Sequence, residues 1–408
     1  MNELNLNERI NDRLRRIANV LLINASFIDN PGLLNGKMGI SIFFYRYGRY
    51  LDNKIYTDYA GELIDEIYEE IAINTPLNFA SGLTGIGWGI EYLVKNKFVD
   101  ADTDEALADI DNTVYRNMLN SPLLLESEND LFGYGHYCLS RLRGHENDDD
   151  NLNTLIKKEH LIYLTDECER LLVHKRYLEF NILQLSVATI NSLLWFLLEI
   201  NRLGLFPSKV RKVLKYLPDY ISKGPAENKA DLLILHKLTK SAAAQLTDPD
   251  LKYQYLSLAE HISEEINITK DSDDKRLADL QSLNLQKLVY GMDIQGELLK
   301  GDSFEKVFSL IDNEETWNRT LDGINKHNLG LTGLAGVGLL LLEAVSSFNN
   351  QFERNYRYAS QPPGYQPLPT SPGGEEEEKS SALKSPLLSA PPGLPRRGGV
   401  RREHCLKV

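Results

Sequence analysis

The stretch Gly82 to Leu93, "GLTGIGWGIEYL", sets four glycines within eight residues, followed at once by an apolar run of helical character. Glycine inside a helix costs about 1 kcal/mol relative to alanine, so a helix entrance this rich in glycine needs a compensating reason. The same shape recurs along the chain. Gly36-Lys37-Met38-Gly39 precedes "ISIFFYRYGR", Asp130-Leu131-Phe132-Gly133 precedes "YGHYCLSRL", and Gly333-Leu334-Ala335-Gly336 precedes "VGLLLLEA". The first three stations begin 46 and 48 residues apart, and the 203 residues from 130 to 333 leave room for four more steps of that length. Three degenerate stations are expected in the gap: "LQLSVATINSLLWFLLEI" from Leu183, "NKADLLILHKL" from Asn228, and "YGMDIQGELL" from Tyr290, which keeps Gly291 and Gly296. A fixed period of this size is the mark of a repeat architecture, here seven two-helix hairpins.

Between stations the pattern is amphipathic. Ile55, Tyr59, Leu63, Ile67 and Ile71 recur every fourth residue among Asp65, Glu66, Glu69 and Glu70, and Ile10, Leu14, Ile17 and Leu21 do the same near the start. Each reads as a helix with one apolar stripe packed on other helices. In a closed ring of helix pairs the inner helices crowd, and glycine at their entrances allows close backbone approach and a positive φ in the turn. A phosphate-binding loop would need one glycine-rich turn after a strand with Lys-Ser/Thr behind it. Here four copies follow helices and none carries that pair. Gly36, Gly39, Gly82, Gly85, Gly133, Gly333 and Gly336 are therefore read as structural.

The net charge of −13 argues against nucleic acid or an anionic membrane as a partner. No secretory signal opens the chain, and Ser192 to Ile200 and Val337 to Leu342 are too short to span a bilayer. Cys138, Cys168 and Cys405 are too few and too scattered for a disulfide framework, which points to a reducing cytoplasmic setting. Composition changes near Tyr358. Residues 359–408 hold nine of the 16 prolines, the acidic run Glu375 to Glu378, and a basic cluster of Arg396, Arg397, Arg401 and Arg402. The expected organisation is a helical domain over 1–355 and a disordered Pro/Gly/charged tail over 356–408, read as foreign to the domain. The terminal Cys405-Leu406-Lys407-Val408 fits prenylation poorly.

"GLLNGKMGISIFF", "FASGLTGIGWGIEYL" and "NLGLTGLAGVGLLLLE" resemble the glycine-bearing repeats of the lanthionine synthetase C-like proteins, in particular divergent bacterial members of the Bacteroidetes type. The resemblance runs from about Gly32 to Glu343. It implies an all-α fold, an α/α toroid of about seven inner and seven outer helices, in agreement with the station count. It also implies work on a ribosomally made peptide. Active members bind one zinc, which activates a cysteine thiol of the substrate for addition to a dehydrated residue. Zinc holds sulfur as thiolate at neutral pH, and a general acid must then protonate the resulting enolate.

The resemblance places the metal ligands, a Cys and a Cys-His pair, at the entrances of the fifth and sixth inner helices. Here Lys223 to Asp231 contain neither residue type, and Val289-Tyr290-Gly291 stands where Cys-His-Gly is expected. No zinc ligand carries over, no cofactor is predicted, and zinc enters only if its ligands have relocated. The remaining catalytic candidates are His136, His236 and His327. His136 and Cys138 lie two apart on a helix and so face different ways; Cys138 reads as a small buried hydrophobe, His136 as a structural histidine and Cys168 as a surface or boundary thiol. Asp148 to Asp150 lack the glycine and terminal glutamate of a calcium loop.

Four functions stay open. The favoured one is a zinc-free relative that binds a peptide substrate or precursor peptide in the ring, together with a partner modifying enzyme. The others are a thioether-forming cyclase with relocated ligands, a carbohydrate-active toroid drawing on carboxylates such as Glu91, Asp130, Asp293 and Glu297, and a helical scaffold.

Overall fold

The computed structural model describes residues 3–71, 75–123, 131–144, 152–174, 185–221, 229–268 and 328–359, together with 282, 284–285, 287–291, 313–315 and 317–318. Internal contacts divide the chain into Met1–Ser347 and Phe348–Val408. The second unit is described only as the backbone of a helix that continues to Ala359, so the expected tail lies almost wholly outside the described residues.

The elements are α1 (Glu3–Asn24), α2 (Lys37–Leu51), α3 (Lys54–Glu70), α4 (Leu83–Lys95), α5 (Thr103–Ala106), α6 (Ala108–Asn120), α7 (Leu131–Arg143), α8 (Leu152–Glu169), α9 (Val187–Arg202), α10 (Pro207–Ile221), α11 (Lys229–Gln245), α12 (Pro249–Ile268) and α13 (Leu334–Ala359). No strand occurs among the described residues. Burial separates two kinds of helix. α2, α4, α7 and α9 are buried nearly all round, whereas α3, α6, α10 and α12 bury one stripe each. A helix apolar on every side sits inside a layer of others. The Met1–Ser347 unit is an α/α toroid in which station helices form the inner wall and the amphipathic helices between them form the outer one. The full count of seven and seven falls partly on residues outside the described set.

The glycines build the inner wall. A methyl placed on Gly39 would lie 2.8 Å from Leu331 Cγ, one on Gly85 would lie 3.0 Å from Leu33 Cβ, and one on Gly133 would lie 3.2 Å from the backbone nitrogen of Phe79. At these three stations the second glycine thus meets the entrance loop of the station before it, the last station serving the first, and at Gly39 and Gly85 its own entrance loop as well. Deeper in, Gly89 faces Met38, Gly135 faces Phe196 and Gly338 faces Phe43, at 2.5, 2.9 and 2.4 Å from a built Cβ. The ring closes through the same contacts, with Thr332 N donating to Leu34 O at 3.0 Å and Arg46 pairing with Glu343 at 3.1 Å. Close approach is therefore the reason for the glycines, and positive φ is not. Gly36 and Gly82 cap their helices at φ −134° and −120°, in extended backbone open to any residue. The positive-φ glycines among the described residues are Gly204 and Gly291.

The first glycine of each station meets a different neighbour. A Cβ on Gly36, Gly82 or Gly333 would fall 2.2, 2.1 or 1.6 Å from the carbonyl oxygen of Asn30, Pro76 or Asn328. The entrance loop folds back on its own helix, and Lys37 N, Leu83 N and Leu334 N donate to those same carbonyls at 2.9, 2.8 and 2.9 Å. Orphan donors of the first helical turn are satisfied this way. At the degenerate fourth station the device is a side chain instead: Ser186 accepts from Thr189 N, an ordinary serine N-cap.

Two expectations need correction. The stripe of α3 is narrower than the every-fourth-residue pattern: Ala60, Leu63 and Ile67 are buried while Ile55 is 73% exposed. A four-residue step overshoots the 3.6-residue turn, so four such steps drift round the helix and the first member leaves the buried face. The second correction concerns Gly291. Residues 287–290 end a helical run, and Gly291 at φ +66° follows with its N–H bonded to Lys287 O. Gly291 therefore closes a helix in the left-handed cap conformation, and the helix that the sixth station would open lies outside the described residues.

Candidate functional site

Five elements bring aromatic rings together inside the wall. His136 of α7 lies 4.4 Å from Trp195 of α9, 5.2 Å from Tyr290 and 4.9 Å from Phe79 of the second entrance loop, measured between ring centroids. Trp195 and Tyr290 stack at 4.9 Å, and Trp88 of α4 meets Phe79 edge-on at 5.9 Å. Trp195 Nε1 donates to Tyr290 O at 3.2 Å, and the Ser192 and Tyr290 hydroxyls are hydrogen-bonded at 2.8 Å. Arg143 stands over Trp195 at 5.9 Å and pairs with Glu199. Trp88 and His136 each sit three residues beyond the second glycine of their station (Gly85, Gly133), so the repeat itself aims both at one place.

His136 is only 6% exposed and its Nδ1 has no hydrogen-bond partner. Burial, with the nearby Arg143 charge, pushes its pKa down to about 3. The ring is therefore neutral at physiological pH, with one nitrogen a donor and the other an acceptor. Such an imidazole can accept or donate a hydrogen bond, but it holds no proton to spare as a general acid near pH 7.

A second polar cluster lies between the inner and outer walls. Arg141 is fully buried and binds Glu91, Asp104 at 2.6 Å and Asp111 at 2.7 Å, while Lys157 of α8 also reaches Asp104 at 2.8 Å. Tyr137 donates to Asp111 at 2.7 Å. These contacts tie α7 to α4, α5, α6 and α8. Glu91, a carbohydrate-chemistry candidate by sequence, is thereby committed to a guanidinium and buried; Asp130, Asp293 and Glu297 lie outside the described residues. Nothing in the sequence pattern singled out Arg141, because an arginine in "CLSRLR" reads as an exposed helix end until α6 and α8 cover it.

His136 is inside the aromatic cluster, His236 is half-buried on α11, and His327 lies outside the described residues. Cys138 is 1% exposed, as its apolar setting predicted, and it sits on the Asp111 and Tyr115 side of α7, away from the His136 rings. Cys168 contradicts the surface reading, since it is fully buried. It continues the stripe Leu161, Leu164 and Thr165, while Asp166 and Glu169 beside it turn out to Lys209 and Lys212 of α10. Burial pushes both thiols up from their usual pKa.

Zinc takes tetrahedral nitrogen, sulfur or oxygen donors, thiolates foremost. No three His, Cys, Asp or Glu side chains gather into a metal-binding group among the described residues. Tyr290 offers a phenol already bonded to Ser192, and His136 is enclosed by rings rather than by ligands. From residue 262 to 326 the chain contains no cysteine or histidine, so no register of the sixth station restores a ligand. The described residues do not fit a zinc centre.

A closed ring of helix pairs with glycine-bearing entrances defines the class of the fold. Residues 28–181, which carry the first three stations, match the family model described as lanthionine synthetase C-like protein. Over that stretch the chain is similar to the lanthionine synthetase C-like family. Among curated proteins none matches it. No described helix is long and apolar enough to cross a membrane.

Proposed function

We propose that this protein is a zinc-free lanthionine synthetase C-like protein that binds a peptide within its ring and holds it for a separate modifying enzyme. The carrying observation is the set of side chains that the third, fourth and sixth repeats bring together. His136, Trp195 and Tyr290 stack on one another, an arrangement suited to apolar and planar groups and not to a metal. Ligand sites in general are apolar and aromatic with a few placed polar groups, and the unpartnered His136 nitrogen and the Arg143–Glu199 pair supply those groups. Two free thiols, Cys138 and Cys168, agree with a cytoplasmic setting.

The test uses the full chain with any affinity tag removed. Elemental analysis is expected to find far less than one zinc per chain. Peptides selected from a displayed random library are expected to bind by calorimetry with affinities that a chelator leaves unchanged. One tightly held zinc per chain, or binding abolished by chelation, defeats this reading and favours a cyclase with relocated ligands.

A further inference from the structure

Phe79 and His136 form a pair unlike any other in the cluster. The Phe79 ring is half-buried and lies tilted by 30° over His136, whose own ring is 94% withdrawn from solvent by the measure of its 6% exposure. The Phe79 backbone is held on both sides. Its carbonyl oxygen lies 2.0 Å from a Cβ built on Gly85, and its nitrogen lies 3.2 Å from one built on Gly133. The adjoining turn is fixed by Asn78, whose side chain accepts from Ser81 N at 2.8 Å and whose carbonyl accepts from Gly82 N at 3.0 Å. With the backbone pinned, only the side chain is free to turn. The imidazole that Phe79 packs against carries a buried nitrogen, Nδ1, with no partner, a group whose desolvation costs about 1–3 kcal/mol until something bonds to it.

We infer that the Phe79 side chain is a movable cover and that the space it vacates beside His136 is a recognition site for a peptide hydrogen-bond donor, a backbone N–H flanked by an apolar side chain. The apolar group takes the place of the Phe79 ring against Trp88 and His136, and the N–H donates to the orphan imidazole nitrogen. Trp195 and Tyr290, bonded to each other and stacked behind the imidazole, hold it in place. An acceptor that stays uncharged selects a neutral donor, since a charged ammonium would lose its hydration in an apolar site without gaining a counter-charge. This inference rests on the peptide-binding reading, but the cover can be tested without any peptide.

Diethyl pyrocarbonate supplies the test. An unprotonated imidazole nitrogen attacks one of its carbonyl carbons, forming an N–C bond and expelling ethyl carbonate, which breaks down to ethanol and carbon dioxide; the ring proton goes to solvent. Modification at each histidine is followed by peptide mass spectrometry on the full chain. His261, with a side chain 65% exposed, gives the internal reference rate. In the wild type His136 is expected to react at least tenfold more slowly than His261, and Phe79→Ala is expected to speed His136 at least fivefold while leaving His261 unchanged. Equal His136 rates in the two proteins overturn the cover.

The second arm adds acetyl-Ala-Leu-Ala-amide, which carries no nucleophile to consume the reagent, at up to about 20 mM. Protection of His136 in Phe79→Ala is expected. In His136→Phe, which keeps the stacked ring and loses the acceptor, binding of the same peptide by NMR titration is expected to weaken by about five- to a hundredfold. If the peptide binds wild type but neither protects His136 nor weakens with His136→Phe, the site is elsewhere and the peptide-binding reading survives alone. If neither this peptide nor the library-selected ones bind while the cover still moves, the peptide-binding reading itself falls, and this site with it.

Discussion

Gly85→Ala is the substitution that most directly separates the two roles glycine can play at a station. Helix propensity favours alanine there by about 1 kcal/mol, and Gly85 has no positive φ for a side chain to strain. Packing opposes it. The new methyl would stand 2.0 Å from Phe79 O, 2.9 Å from Phe79 C and 3.0 Å from Leu33 Cβ. Carbon contacts settle near 3.5 Å, so the Phe79 carbonyl must retreat by about 1 Å, and that carbonyl belongs to a loop bonded at both ends. Overpacking of this kind costs about 1–3 kcal/mol and sometimes more; because it falls on backbone, the upper part of that range applies, and the net expectation is a loss of about 1–3 kcal/mol. Gly61→Ala on α3 is the control. It gains the same propensity, and its nearest neighbour, Tyr45 Oη, lies 3.6 Å from the new methyl. It should stabilise by about 0.5–1 kcal/mol. Thermal unfolding of the full chain reads both: Gly85→Ala lowers Tm by roughly 2–6 °C and Gly61→Ala raises it by roughly 1–2 °C, at about 2 °C per kcal/mol for a domain of this size. If Gly85→Ala raises Tm as Gly61→Ala does, the station glycines are not spacing devices, and the close-packed inner wall is wrong.

Arg141→Met leaves Glu91 and Asp111 without their main counter-charge inside the wall, and breaking a buried pair from one side costs about 3–5 kcal/mol; urea unfolding should show the largest loss of any substitution named here. His136 has its pKa lowered from 6.5 to about 3 by the fold, so below pH 6.5 the unfolded chain gains a proton that the folded chain does not. Stability is then lost as pH falls from 6.5 towards 3, at about 1.4 kcal/mol per pH unit once well below 6.5; from pH 6.5 to 5 the wild type should lose about 2 kcal/mol more than His136→Phe, and parallel profiles would refute the burial. Cys138 and Cys168 are buried with raised pKa values, so iodoacetamide at pH 8 should leave both unlabelled in the native chain and alkylate both in guanidinium, as peptide mapping will show.

How much of this was written in the sequence differs between wall and site. The stations at 36, 82, 130 and 333 identify themselves, since four glycine-bearing entrances, the first three at a near-constant period, admit few architectures. The stripe of α1 is equally legible: Ile10, Leu14, Ile17 and Leu21 are all fully buried. Gly291 was read as part of a helix entrance although it ends a helical run, because glycine marks both the entrance of a helix and its left-handed close, and a single sequence does not tell which. Cys168 was misplaced because its charged neighbours were counted along the chain rather than round the helix.

The site needed the fold. Trp88 and His136 share a repeat position, a signal that aligning the stations exposes, but Trp195 and Tyr290 are 59 and 154 residues beyond His136 and belong to degenerate stations. Only ring closure stacks them on one imidazole. The same holds for Arg141, whose carboxylates come from three other helices. The sequence by itself determined the period, the helical character and the close approach at the glycines, because these are local properties of spacing and side-chain size. Which buried polar groups meet, and which nitrogen is left without a partner, was decided by tertiary structure, because those outcomes depend on how helices far apart in the chain are turned towards one another.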